Sequence, residues 1–435
     1  MEQIKVSDVI WKQEVYPREK VNQNKATEYE NFIEVLPPII INQDNILVDG
    51  AHRLQAFKNT KQEFIPCEKI TTIDDDDLLL KAIELNATHG YQMTQKEKKQ
   101  RVVKFYEKVL NGDAETFDTS RLKKAFSLPE STFSRWTRDM AEKLESIRLE
   151  KVLNLYLQNK THQEIADIDG LWKRTTITDK INEMEAFCLD LSENSEWEIP
   201  TKYSFFKDKI ATLSEFQPKL YNIWNQSKNN NETKHFGNFP QEFMENLIHY
   251  YTKPFDLVYD PFAGGGVTID ACSKWLRKYY VSDMTPIETR EEIKKWKIQD
   301  GLPSDLKEPQ LVFLDPPYWI QAENQYSDSK QDLGNMKIEE FYESMNNLIK
   351  ELKKKMKTGY VALVIQGTQW KNNYKLEDHA IKLYNLFEKN GFTFEQRIIL
   401  PYSTEQYNAQ QVIKAKENKF MLTIYRDLIV FKKGD

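Results

Sequence analysis

Cysteine and histidine are scarce in this sequence, with three cysteines and six histidines among 435 residues. Cys67, Cys188 and Cys272 lie far apart without Cys-x-x-Cys spacing, and the histidines are scattered along the chain. A disulfide framework and a metal cluster are therefore not expected, and a reducing cytoplasm suits such a chain.

Long apolar runs are missing as well. No window approaches the roughly 18 uncharged apolar residues of a transmembrane helix. The first residues include Glu2, Lys5 and Asp8, a polar beginning unlike that of a secretory signal peptide. We expect a cytoplasmic protein without a membrane partner.

The formal net charge is −6, which argues mildly against a protein that coats nucleic acid by overall charge. Residues 96–160 are nevertheless locally basic, so the total does not exclude DNA binding. Solvated helix faces explain this local charge equally well.

Residues 78–190 are predicted to be mostly helical, because apolar positions recur every three or four residues. A first helix-turn-helix pattern has helices at 121–126 and 132–140. Such a unit reads DNA by placing its second helix in the major groove, although plain helical packing is an equal alternative. The candidate DNA contacts are Arg121, Lys123, Lys124, Arg135 and Arg138.

A second pattern of the same kind begins at Thr161. Thr161 and Glu164 have the spacing of a capping box, which opens a short helix, and the following helix is predicted to begin near Thr175. The same two interpretations apply to it.

A glycine-rich turn links an apolar strand at 257–259 to a helix. Gly264, Gly265 and Gly266 allow positive φ and a close approach to a ligand. Neither Gly-x-Gly-x-x-Gly nor Gly-Lys-Ser/Thr is present, which weakens a dinucleotide or phosphate-loop interpretation. Asp283 ends the next predicted strand, where an acidic side chain suits the two hydroxyls of a ribose.

The motif Asp315-Pro316-Pro317-Tyr318 follows the apolar residues 311–314. The prolines fix φ and remove two backbone donors, which leaves acceptor carbonyls beside a carboxylate. Asp315 and the Pro316 carbonyl can accept both hydrogens of an exocyclic amine, and Tyr318 offers a face for a flipped base.

Together these motifs resemble the S-adenosylmethionine-dependent DNA N6-adenine and N4-cytosine methyltransferases over residues 234–435. The resemblance implies that Asp315, Pro316, Pro317 and Tyr318 are catalytic and that the amine attacks the methyl sulfonium directly, without a metal or catalytic cysteine. It assigns the donor site to His235, Phe236, Phe239, Pro240, Asp260, Pro261, Phe262, Ala263, Gly264, Gly265, Gly266, Thr268, Asp283 and Asp300. Aspartate before Pro-Pro-Tyr favours adenine, and N4-cytosine methylation stays an alternative.

The first 70 residues resemble the ParB/sulfiredoxin-like fold. The similarity includes Tyr16-Pro17-Arg18, a predicted hairpin of residues 39–41 and 46–48, and the turn from Asp49 to Arg53. A helix start with His and Arg suits an anion, so Gly50, His52 and Arg53 form a candidate phosphate or nucleotide site.

We therefore expect a multidomain protein whose α/β Rossmann-like methyltransferase has a mostly parallel seven-stranded sheet. The expected parts are a small α+β ParB-like domain, a helical region, a linker or exposed segment and the methyltransferase, at 1–72, 73–190, 191–233 and 234–435. Double-stranded DNA is the expected partner. A bacterial or phage protein is expected, located in the cytoplasm and associated with the nucleoid. The sequence leaves open whether the N-terminal domain binds a nucleotide and whether the protein forms a homodimer. A DNA-binding regulator with a vestigial methylase domain also stays an alternative function.

Overall fold

The computed structural model of the chain describes residues 2–12, 16–17, 21–88, 93–114, 116–193, 199–207, 209, 215–226, 239–319, 329–370, 375–401 and 407–434. The chain divides into two compact units, Met1–Glu145 and Ser146–Asp435. The four-part boundaries expected from the sequence stay a prediction.

The first unit begins with a four-stranded sheet in the order β1-β4-β2-β3. Its strands are β1 Glu2–Lys5, β2 Ile39–Asn42, β3 Leu47–Asp49 and β4 Phe64–Ile70, and its helices are α1 Gln23–Glu30 and α2 Ala51–Asn59. Strands β2 and β3 pair antiparallel, which confirms the predicted hairpin. Ile39, Ile41 and Leu47 are buried and form the core beneath α2.

The rest of the first unit is helical, with α3 Asp75–Thr88, α4 Gln95–Leu110, α5 Thr119–Ala125 and α6 Glu130–Leu157. The predicted helix, turn and helix are present, but α6 does not end near Met140 as expected. Its 28 residues continue beyond Glu145 because Leu149, Val152 and Leu153 repeat the apolar spacing and are fully buried in the second unit.

The second unit continues with α7 His162–Asp169 and α8 Arg174–Glu193. The predicted capping box is confirmed: the Glu164 amide donates to the Thr161 hydroxyl at 3.2 Å, and the Thr161 amide donates to the Glu164 carboxylate at 2.7 Å. Gly170, with φ of 70°, ends α7 in the left-handed region.

A seven-stranded sheet dominates the second unit, in the order β12-β13-β9-β8-β5-β6-β7. The strands of this unit are β5 Leu257–Asp260, β6 Lys278–Asp283, β7 Lys294–Lys295, β8 Leu311–Leu314, β9 Gly359–Ile365, β10 Thr368–Gln369, β11 Leu376–Glu377, β12 Thr393–Pro401 and β13 Tyr425–Lys433. Strand β13 runs antiparallel to both neighbours and the other pairs are parallel, so the sheet is mostly parallel, as predicted. Strands β10 and β11 form a separate pair.

Helices cover both faces of this sheet. They are α9 Gln241–Tyr251, α10 Val267–Lys274, α11 Ile338–Lys355 and α12 His379–Lys389, and α13 Ala409–Glu417 follows β12. Successive strand residues point to opposite faces, so Val258 lies in the same core as Phe243 of α9, whereas Tyr259 lies in the other core with Phe341 of α11. The strands are buried on both sides, as in α/β folds.

The described part of the interval 191–233 is not exposed throughout. Tyr203, Phe206 and Trp224 are buried in the same core as α9, and Ile223 forms a bridge to Ile399 of β12. The polar composition of this interval gave no sign of these buried aromatic side chains, and its assignment as a linker or exposed segment stays a prediction.

Every helix in the described residues is too short or too polar to cross a bilayer. The three cysteines are buried free thiols.

Candidate active site

Three carboxylates follow three neighbouring parallel strands. Asp260 ends β5, Asp283 ends β6 and Asp315 follows β8, with β5 between the other two strands. The carboxyl ends of parallel strands meet at one edge of a sheet, where α/β proteins bind ligands. Burial raises the pKa of Asp260 to about 7, and the charges of Asp283 and Asp315 also raise it, so the three carboxylates interact.

The glycine-rich turn lies between the ends of β5 and β6. Gly264 and Gly266 have φ of 47° and 86°, in the left-handed region that favours glycine. The Ala263 amide donates to the Ser282 carbonyl, and the Gly264 amide donates to the Asp283 carboxylate, both at 3.0 Å. These bonds hold the turn against the end of β6.

Asp260 positions this turn from inside the protein. Its side chain is 1% exposed and accepts hydrogen bonds from the Thr268 hydroxyl at 2.5 Å and the Phe262 amide at 2.9 Å. Both partners belong to the turn or to α10, so Asp260 holds the backbone of the turn in place.

Asp283 is placed differently. It is half-buried, and its two carboxylate oxygens accept from the Gly264 amide and, at 2.9 Å, from the Thr285 amide. Each carboxylate oxygen has two lone pairs, so Asp283 can also accept from ligand hydroxyls at the exposed side.

Asp315 and Tyr318 are joined by a hydrogen bond. The Tyr318 hydroxyl donates to the Asp315 carboxylate at 3.1 Å. Burial raises the pKa of Asp315 to about 6, against the opposing effects of the Arg426 charge and of this hydrogen bond. Asp315 is therefore an acceptor-only carboxylate above about that pH.

Arg426 is a residue of this site that the sequence interpretation did not identify. The next residue, Asp427, pairs with Ile365 at the end of β9, so the antiparallel strand β13 begins at the edge where Asp315 lies. Arg426 is 8% exposed, and its guanidinium carbon lies 5.6 Å from the centroid of the Phe239 ring. A charged residue at the start of an apolar strand was the available signal.

The expected donor contacts Phe239 and Pro240 precede α9. The Phe239 ring is 3% exposed, and its centroid lies 4.8 Å from that of Phe313, two residues before Asp315. This ring packs from within the core against β8, the strand that leads into the Asp-Pro-Pro-Tyr motif. Pro240 is the N-cap residue of α9.

The remaining candidates divide into three groups. Pro261, Gly265 and Thr268 are buried in the turn or in the first residues of α10, with Phe262 half-buried beside them. Asp300 is exposed in a short 3₁₀ turn after β7. His235 and Phe236 lie outside the described residues.

Trp319 anchors the chain just after Tyr318. Its indole donates to the Met336 carbonyl at 2.8 Å, and its own carbonyl accepts from the Thr368 hydroxyl at 3.1 Å. Its ring also packs edge-on against Trp370. These contacts restrict the orientation of the preceding Pro-Pro-Tyr segment.

The candidate anion site lies in the first unit. Gly50, with φ of 105°, begins α2. Arg53 pairs with Asp49 at 2.7 Å, the Ala51 amide donates to the Tyr16 hydroxyl at 3.3 Å, and the buried His52 accepts from the Asn22 amide at 3.1 Å. An anion must compete with Asp49 and Tyr16, and the site stays a prediction.

The candidate DNA contacts of α5 and α6 differ in their environment. Arg121 is tied to Asp77 at 2.8 Å and to Glu84 at 3.3 Å. Lys123 pairs with Glu130 at 2.8 Å. The exposed side chains are Lys124, Arg135 and Arg138, of which Arg138 contacts Glu142 at 3.2 Å.

Solved structures with related shapes include methyltransferases and a partition protein. A 1,6-didemethyltoxoflavin-N1-methyltransferase from Burkholderia thailandensis, bound to S-adenosylhomocysteine, is 12% identical over 45% of this chain and 78% of its own, with a TM-score of 0.29. A precorrin-6y C5,15-methyltransferase from Geobacter metallireducens is 13% identical over 45% and 87%, with a TM-score of 0.28. Truncated ParB from Caulobacter crescentus, complexed with CTP-γ-S, is 15% identical over 32% and 78%, with a TM-score of 0.19.

No curated protein sequence matches the chain significantly. The family model described as DNA methylase matches residues 8–295 and 310–430, which is most of the chain. The match includes the glycine turn, the Asp-Pro-Pro-Tyr motif and the first six residues of β13, and the protein belongs to the N6/N4 DNA methylase family.

Proposed function

We propose that this DNA methylase transfers a methyl group to N6 of an adenine flipped out of duplex DNA. The observation that carries the proposal is that β5 and β8 are neighbouring parallel strands, so the glycine turn after β5 and Asp315 after β8 lie at the same edge of the sheet. One nitrogen and one methyl group can therefore be held close together.

The cofactor is S-adenosylmethionine, which supplies a methyl group on a positively charged sulfur. The residues at this edge suit it: Gly264 and Gly266 keep the turn open to a ligand, and Asp283 presents acceptors for ribose hydroxyls. Asp260 keeps the turn in this shape through Thr268 and Phe262.

On the base side, Asp315 and the Pro316 carbonyl accept the two amine hydrogens. These bonds orient the nitrogen lone pair towards the methyl carbon and stabilise the positive charge that develops on nitrogen as the N–C bond forms and the sulfur leaves as a neutral thioether. The charge on nitrogen is lost when one amine hydrogen passes as a proton to the Asp315 carboxylate that accepts it. Tyr318, held by its bond to Asp315, provides the aromatic face on which the base stacks.

Adenine is the proposed target because the first residue of the motif is an aspartate. The half-buried carboxylate is ionised above a pH of about 6, so it accepts from the exocyclic amine of either base without offering a donor of its own, and the choice of adenine depends on the family resemblance of the motif.

The test uses Asp315→Ala and Asp315→Asn in the full chain, with donor affinity and methyl transfer to duplex DNA measured separately. We expect Asp315→Ala to lower the transfer rate by about a hundredfold or more while donor affinity stays unchanged. Normal turnover in that variant would remove Asp315 from the chemistry.

Analysis of the methylated nucleosides identifies the base. N6-methyladenine is expected, and N4-methylcytosine would contradict the proposed target. Donor and DNA binding without any transfer would instead favour a DNA-binding regulator with a vestigial methylase domain.

A further inference from the structure

A group of cations surrounds His162 in the second unit, and we call His162, Arg174, Lys278 and Lys307 the basic surface. The His162 ring shares a hydrogen bond of 2.9 Å with the Thr178 hydroxyl of α8. Its ring lies 5.8 Å from that of Tyr156, and the Lys278 ammonium lies 5.0 Å from the Tyr156 ring. Burial lowers the pKa of His162, and the charges of Lys307, Arg174 and Lys278 lower it further, against the opposing charge of Glu185.

The charges of this surface are not neutralised by ion pairs. In the described residues no carboxylate oxygen lies within 4.0 Å of the charged nitrogens of Arg174, Lys278 or Lys307. The nearby Glu185 accepts from the Tyr156 hydroxyl at 2.6 Å. A concentration of unpaired cations is unexpected in a chain with a net charge of −6.

Acidic residues border the basic surface on one side. Beyond Lys160, a cavity of about 600 Å³ is lined by Glu288, Glu291 and Glu292 together with Lys294. At the start of α8, Lys173 and Arg174 are both exposed.

A rigid turn presents this end of α8. The Asp169 carboxylate accepts from the Leu171 amide at 3.2 Å and the Trp172 amide at 2.7 Å. The Arg148 guanidinium lies 3.5 Å from Asp169 and 4.9 Å from the centroid of the Trp172 ring. The turn holds α7 and α8 as a helix-turn-helix unit, whose second helix begins with exposed polar side chains.

The basic surface lies away from the candidate active site. Lys278 begins β6 and Lys307 precedes β8, whereas Asp283 and Asp315 follow the opposite ends of these strands. A strand of this length spans about 17 Å at roughly 3.3 Å per residue. A ligand at the basic surface is therefore distinct from the base in the catalytic pocket.

We propose that the basic surface binds the phosphate backbone of duplex DNA, as a second contact away from the methylated base. Three cations, on a helix, at the start of a strand and in a loop, match a line of phosphates better than one small anion. The helix-turn-helix shape favours a duplex over single-stranded RNA. The proposal depends on DNA as the partner of this family but not on the identity of the methylated base.

The experiment compares Arg174→Ala/Lys307→Ala with Lys354→Ala/Lys389→Ala in the full chain. The control removes two exposed lysines from α11 and α12, at the same edge of the sheet but on its other half. Affinity for a fluorescent duplex is measured by anisotropy over a range of salt concentrations. We expect the slope of log K against log salt to shrink by about two in the first variant only, with less affinity at every salt concentration.

Transfer at saturating DNA should be unchanged in the first variant, because neither residue reaches the catalytic edge. An unchanged slope, or an equal change in the control, overturns the proposal. A loss seen with single-stranded RNA but not with the duplex overturns it as well. Because binding is the readout, a protein that binds DNA through this surface but transfers no methyl group would contradict the proposed function alone.

Discussion

At the scale of single residues, Asp315 is the group whose charge controls the proposed chemistry. Its pKa is raised to about 6 by burial, while the Arg426 charge lowers it. The ionised form accepts from the amine, so methyl transfer should be present above this pKa and lost as the pH falls through it. Replacing Arg426 with Met removes the charge that favours ionisation, and the acid limb of single-turnover transfer should move to higher pH.

Arg397→Met is the matched control for this prediction. Arg397 pairs with Asp427 at 2.8 Å on the same half of the sheet, and its charge is not among those that shift the pKa of Asp315. Asp260 also titrates, at about 7, but Arg426 is not among the groups that shift its pKa, so a limb due to Asp260 should not follow the Arg426 change. If both arginine variants leave the limb in place, Arg426 does not tune Asp315.

The sequence predicts that Asp315 belongs to the site, but it does not predict that Arg426 lies beside it. Asp315 and Tyr318 are neighbours in a motif whose prolines fix its shape, so their proximity follows from local chemistry. Arg426 reaches them only because β13 enters the sheet antiparallel beside β9, and a strand order of this kind cannot be read from local patterns.

At the scale of elements, the glycine turn and α10 form one structural unit. Gly266 has φ of 86°, and a Cβ added there would lie 3.3 Å from the Ile269 side chain. Gly266→Ala combines this contact with a left-handed backbone that costs an alanine about 1–2 kcal/mol. We expect the turn to shift and the affinity for S-adenosylmethionine, measured by calorimetry, to fall.

Gly112→Ala separates strain from donor binding. Gly112 also has a left-handed φ, of 80°, but no atom lies within 4 Å of its added Cβ, and it belongs to the first unit. It should lower Tm through the same backbone strain and leave donor affinity unchanged. Equal donor affinity in the Gly266 and Gly112 variants would argue against the turn as the donor site.

The elements that the sequence predicts least well are those that combine exposed polar residues with buried apolar ones. Strand β12 has exposed residues from Thr393 to Arg397 because it is an edge strand, so it lacks the apolar run that identified β5 and β8. Phe206 and Trp224 were missed because isolated aromatic residues in a polar interval do not reveal which core receives them.

At the scale of the whole molecule, DNA contact must be local, because the net charge of −6 provides no general attraction. Each unit offers its own candidate surface: exposed Arg135 on α6 in the first, and the basic surface in the second. Arg121 is a weaker candidate than the sequence suggested, since its guanidinium is occupied by Asp77 and Glu84.

If both surfaces contact one duplex, their contributions to binding should add. We expect Arg135→Ala to reduce the salt slope by about one and Arg174→Ala/Lys307→Ala by about two, so the combined variant should lose about three. Independent contacts should add to within about 0.5 kcal/mol in binding free energy, which anisotropy titrations of the four proteins can resolve. If the combined variant binds DNA no more weakly than the weaker-binding of the two separate variants, the two surfaces do not engage the same DNA. An unchanged Arg135→Ala variant would leave the first helix-turn-helix unit with a packing role only.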